Sequence, residues 1–106
     1  MVSNNYTIDF TSSTGGLDSI KLGQSITYTA ISLNNGVSYA DTGTWLLTED
    51  DGITPCSKAS IVSFTGTTCV VKCNNVSGNV GSYIKLKYTN SQTNDTVRLL
   101  IKSVFG

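Results

Sequence analysis

Gly43-Thr44-Trp45-Leu46-Leu47-Thr48, read with the upstream run Ser25-Ile26-Thr27-Tyr28-Thr29-Ala30, decides the fold of this chain. Both runs alternate apolar and polar side chains, are rich in β-branched and aromatic residues, and are followed by Asn, Asp or Gly. A period of two sends successive side chains to opposite faces of a strand, so Trp45 shares a face with Leu47, and Tyr28 with Ile26 and Ala30. A mid-strand tryptophan facing other strands of this kind is the pattern of a two-sheet β-sandwich around a buried indole.

Outward from these runs the same signal recurs at short intervals, giving strands near Asn5 to Ser12, Ser25 to Leu33, Gly43 to Thr48, Ala59 to Phe64, Cys69 to Cys73, Ser82 to Thr89 and Thr96 to Val104. The turns between them carry Asn34-Asn35-Gly36, Asp51-Gly52, Ser77-Gly78 and the segment from Asn90 to Asn94. The expectation is an all-β sandwich of about seven antiparallel strands and no helix. Alternation assigns its core to Trp45, Tyr28, Leu47, Ile61, Leu86 and Leu99, with Trp45 the largest contributor.

Length and composition agree, since 106 residues with 39% apolar content suit one domain with one core, spanning residues 1–106. Such a domain folds without metals or disulfides, whether free-standing or cut from a longer protein. Seven cations against seven anions argue against a general nucleic-acid binder, and no basic aromatic motif is present. No apolar run is long enough to insert in a membrane, and Met1-Val2-Ser3-Asn4-Asn5-Tyr6 is no signal segment.

The chain has no histidine, the commonest general base and metal ligand, and no other group of residues assembles into an active site. The reading is therefore non-enzymatic, with no catalytic, cofactor-binding or metal-ligating residue and no cofactor. Glu49-Asp50-Asp51-Gly52 lacks the spaced ligands of a calcium loop and is read as a solvated turn. Cys69 and Cys73 fall on one strand about 13 Å apart, too far for a disulfide, and are expected as buried thiols. An odd third cysteine, Cys56, points to a reducing compartment. The Asn-x-Ser/Thr matches at Asn5, Asn75 and Asn94 are expected to be unmodified.

Several stretches resemble bacterial immunoglobulin-like domains of group 2. They are Leu22-Gly23-Gln24-Ser25-Ile26-Thr27-Tyr28-Thr29-Ala30, Gly43-Thr44-Trp45-Leu46-Leu47, Ala59-Ser60-Ile61, Thr65-Gly66-Thr67-Thr68-Cys69-Val70-Val71-Lys72 and Ser82-Tyr83-Ile84-Lys85-Leu86-Lys87-Tyr88. With the closing Ile101-Lys102-Ser103-Val104-Phe105, they look like domains at the C-terminal ends of tailed-bacteriophage virion proteins. The resemblance implies an immunoglobulin-like sandwich with an adhesive or accessory role and no catalysis. The chain departs from antibody domains in lacking their cysteine pair.

In such a sandwich the tryptophan strand lies in one sheet with the last two strands. Their outward residues would gather Leu46, Tyr83, Lys85, Lys87, Arg98, Leu100 and Lys102 into one basic, partly apolar face, with nearly all acids elsewhere. A charged outer face also keeps a sheet soluble without any partner. As a contact face, it fits other virion subunits or an anionic bacterial cell-surface polymer such as a teichoic acid or acidic glycan. The expected function is an accessory module of a phage tail or capsid protein on the virion surface, in weak multivalent contact with the host. The alternatives are a clamp or spacer between virion subunits and a stalk repeat of an adhesin on the bacterial cell surface.

Overall fold

The computed structural model describes residues 3–105, which form nine strands and one short 3-10 turn at Ser77–Asn79. In the first sheet β1 (Tyr6–Ser12), β3 (Ser25–Asn34), β7 (Thr68–Cys73) and β6 (Ala59–Phe64) pair in that order, with β4 (Val37–Ser38) beside the end of β3. The second sheet runs β2 (Ser19–Lys21), β9 (Asn94–Lys102), β8 (Tyr83–Thr89) and β5 (Thr44–Glu49). Setting aside β2 and β4, the seven long strands divide between the sheets as those of an immunoglobulin-like sandwich do.

The strand count differs from the sequence expectation because β2 and β4 are three and two residues long, too short to show a period. β2 also breaks the antiparallel rule: Ser19, Ile20 and Lys21 run parallel to Leu100, Ile101 and Lys102 of β9. The chain thus crosses from the first sheet to the second between β1 and β2, through a turn in which Gly15 takes a φ of 83°. The last strand ends at Lys102, short of Val104.

Tyr28, Leu47, Leu86 and Leu99 are buried as alternation requires, and β1, β2 and the segment after β2 add Ile8, Phe10, Ile20 and Leu22. Each fully buried aliphatic side chain stabilises the sandwich by roughly 1.5–3 kcal/mol. Trp45 is not the centre of this core. It is half-buried, because β5 is the edge of its sheet and its indole lies at the flank of the sandwich. There it packs on Tyr88, with ring centroids 4.7 Å apart, and more loosely on Phe10. The largest fully buried side chains are Tyr28 and Tyr88. Ile61 is likewise only partly buried, since β6 is the edge of the first sheet on the same flank and its register slips by a bulge between Ile61 and Ser63.

Cys56, Cys69 and Cys73 are all free thiols. Cys69 and Cys73 are fully buried, and burial pushes the Cys69 thiol up to about 12. Cys56 stands half-exposed. Where antibody domains use a disulfide across the sheets, this chain uses hydrogen bonds at one end. The Gly66 carbonyl in the β6–β7 turn accepts the Gly43 amide at 2.8 Å and the Tyr88 hydroxyl at 2.6 Å. The neighbouring Thr65 carbonyl accepts the Trp45 indole Nε1–H at 3.2 Å.

Candidate functional site

The outer face of the second sheet is built by strand register. Leu46 stands opposite Lys87 and Lys87 opposite Thr96; Thr48 opposite Lys85 and Lys85 opposite Arg98; Tyr83 opposite Leu100. These positions alternate with Leu47, Ile84, Leu86, Val97, Leu99 and Ile101, which point into the core. The structure therefore brings Leu46, Tyr83, Lys85, Lys87, Arg98, Leu100 and Lys102 onto one face. Leu46 and Arg98 are exposed, and the other five are half-buried.

Sequence reasoning missed Lys21. The parallel pairing of β2 sets it beside Lys102, so five of the seven cations of the chain share this face. Among the described residues, no carboxylate lies within ion-pair distance of Lys21, Lys85, Lys87 or Lys102.

The expectation that nearly all acids lie elsewhere is corrected here. The turn after β5 folds back over the sheet, and Asp50 grips Arg98 with two parallel bonds, Nε to Oδ1 at 2.8 Å and Nη2 to Oδ2 at 2.9 Å. The Arg98 guanidinium holds the Asp50 carboxyl below the usual carboxylate range and is itself held above its ordinary value. On its other side Arg98 lies 3.6 Å from the centroid of the Tyr83 ring, a cation–π contact. Thr48, whose place opposite Lys85 puts it on the open face, is almost fully buried, because Pro55 bridges to it and its hydroxyl donates to the Glu49 carbonyl at 2.9 Å.

Between this turn and the sheet lies a cleft of about 290 Å³ lined by Thr48, Gly52, Lys85, Lys87, Thr96 and Arg98. A larger hollow of about 610 Å³ sits against β3 and the segment from Tyr39 to Thr42. Two of its polar side chains are already engaged: Asp41 accepts from the Ser91 amide and hydroxyl, and the Tyr39 hydroxyl accepts from Asn90. A third hollow of about 260 Å³ opens between β5 and β6 and contains Trp45 and the Cys56 thiol. The sheet-face cleft differs from both in gathering three cations.

The acidic turn has a separate protein partner for each carboxylate. Glu49 bonds Lys58 Nζ at 2.7 Å and the Ser57 hydroxyl at 2.7 Å, Asp50 holds Arg98, and Asp51 accepts from the Ile53 and Thr54 amides at 2.8 Å. Among the described residues no three His, Cys, Asp or Glu side chains converge on a point that would hold a metal ion. No helix among them is long and apolar enough to cross a membrane.

No family model matches the chain, and no curated protein matches it. Among solved structures it is similar to a chimeric titin Z1Z2 functionalized with a KLER exogenous peptide from decorin. The two share 17% identity at a TM-score of 0.54, over 96% of this chain and 99% of that one. At that identity the likeness is one of fold, and it agrees with the division of strands between the sheets: the chain is an immunoglobulin-like β-sandwich.

Proposed function

We propose that this domain is a non-enzymatic accessory module of a bacteriophage structural protein, displayed on tail or capsid, that makes weak multivalent contacts with an anionic polymer of the host cell surface. The observation that carries this reading is the in-register basic face of Lys21, Lys85, Lys87, Arg98 and Lys102 on a chain whose formal charge is zero. Charge sorted onto one sheet face steers an oppositely charged partner to that face, which net charge alone would not do. Leu46, Tyr83 and Leu100 between the cations give the face apolar contact area. The link to virions rests on the resemblance of the Leu22–Ala30 and Gly43–Leu47 stretches to group 2 bacterial immunoglobulin-like domains.

Weak contacts are sufficient in that setting, because many linked copies raise avidity by about 10² to 10⁴ without new chemistry. The test is a triple change of Lys85, Lys87 and Lys102 to Glu in the parent particle, with folding of the isolated domain checked by thermal melting. Slower adsorption to host cells by intact particles supports the reading. Unchanged adsorption by a folded variant refutes it, and particles that fall apart point instead to a clamp between subunits.

A further inference from the structure

We propose that Asn35 is a self-modification site: its side chain closes on the Gly36 amide, loses ammonia and becomes aspartate or isoaspartate, which cuts a strap holding the N-terminal segment. Asn35 is the one asparagine of the chain followed by glycine. The two residues form the turn between β3 and β4, bounded by the paired Asn34 and Val37, and their φ angles are 53° and 80°. A two-residue primed turn demands positive φ at both centres, so the fold itself calls for this reactive pair. Both residues are exposed, and a Cβ at Gly36 would meet nothing within 4 Å. Among the described residues the Gly36 amide donates to no backbone carbonyl. The nucleophile is therefore neither shielded nor tied.

The step needs no co-reactant but water. The deprotonated Gly36 nitrogen attacks Asn35 Cγ and a C–N bond forms. The bond from Cγ to Nδ2 then breaks, and Nδ2 leaves as ammonia with a proton equivalent to the one Gly36 gave up. Water adds to either carbonyl of the succinimide ring: one opening yields aspartate, the other isoaspartate, whose main chain runs through Cγ. The Asn5 amide donates to Asn35 Oδ1 at 3.1 Å, on the oxygen that gains charge during the attack. A donor so placed stabilises a developing oxyanion.

The carboxamide that reacts is also the strap. Its Nδ2 donates to the Ser3 carbonyl at 2.8 Å, and the Asn35 amide donates to the Asn5 carbonyl at 2.9 Å. A carboxylate in its place has no donor for Ser3 and sets two acceptors against each other. Ser3 and Asn5 lie just before β1, so conversion loosens the entry to that strand. Asn90, the other asparagine with a small successor, is locked by contrast. It is buried, its Oδ1 accepts the Gln92 and Thr93 amides, and the Ser91 amide is given to Asp41 at 3.2 Å.

The experiment ages the folded protein and a urea-unfolded sample side by side in mildly alkaline buffer. Each asparagine is followed by peptide mapping with mass spectrometry and isoaspartate detection. In the folded protein, conversion is expected at Asn35 while Asn90 and the other asparagines keep their amides. The product should elute as a more acidic species, because one negative charge joins a chain of zero formal charge. Asn35→Gln, whose longer side chain closes the ring poorly, should stay unconverted. Hydrogen exchange should show lost protection at the Asn5 amide in the aged protein and in Asn35→Asp. If Asn35 converts only in urea, or in neither sample, the proposal is overturned. If several asparagines of the folded chain convert alike, the selection of Asn35 by the turn is overturned. If Asn35→Asp keeps the Asn5 amide protected, the strap is not cut and that half of the proposal falls.

Discussion

The Tyr88 hydroxyl donates to the Gly66 carbonyl at 2.6 Å, so a side chain of the second sheet closes on the turn that joins two strands of the first. Gly66 also accepts the Gly43 amide, and that second bond survives loss of the first. Tyr88→Phe therefore leaves no orphaned acceptor and should cost about 1 kcal/mol, the net value of one hydrogen bond. In a domain of this size that lowers the melting temperature by about 4–8 °C. Thermal denaturation followed by circular dichroism measures it, and an unchanged midpoint would show that the closure adds nothing.

Gly43 sits where the second sheet meets this turn. A Cβ there would collide with the Thr89 carbonyl and approach Tyr88 Cζ to 2.6 Å. Because backbone must move to relieve the clash, Gly43→Ala should destabilise by about 1–3 kcal/mol. Gly78 has nothing within 4 Å of its Cβ position and serves as the control. Gly78→Ala should stay within about 0.5 kcal/mol of the parent in urea titration.

Tyr28 is fully buried, and its hydroxyl has no hydrogen-bond partner among the described residues. A buried hydroxyl without a partner carries a desolvation penalty that its replacement by hydrogen removes. Tyr28→Phe should raise stability by about 1 kcal/mol. A loss of stability instead would reveal a partner for that oxygen.

The pH profile should fall at both ends. Asp41, Glu49, Asp50 and Asp51 are held below the usual carboxylate range, chiefly by the Ser91 hydroxyl, Lys58, Arg98 and the Thr54 hydroxyl in turn. A depressed folded value means stability present above the unfolded carboxyl values and lost as pH drops through the folded ones, so acid weakens the domain below about pH 4. At the other end, burial raises Cys69 to about 12 and raises Tyr28 as well. The unfolded chain then loses these protons first, and stability drains away from about pH 8.5 upward. Between these limits, with no histidine in the chain, urea midpoints should be nearly level.

What was legible in the sequence follows from what a period of two encodes. It names the two faces of any strand long enough to repeat, and so it placed Tyr28, Leu47, Leu86 and Leu99 inside and Lys85, Lys87 and Arg98 outside. It carries no information about strand order. Trp45 was assigned to the right face but the wrong depth, because depth depends on β5 and β6 being sheet edges. β2 has three residues and exists because Ile20 slots in beside Ile101, a tertiary contact, so Lys21 could not be assigned to the face. The Asp50–Arg98 pair joins residues 48 apart through a folded-back turn, a relationship that alternation does not express.

The parallel pairing of β2 with β9 has a mechanical consequence. The two strands lie near opposite ends of the chain and run the same way, so tension between the termini slides one lengthwise against the other. β1 is dragged along its own axis against β3 in the same pull. Bonds across both pairs are then strained together rather than opened one by one, and the domain resists extension as a rivet resists shear.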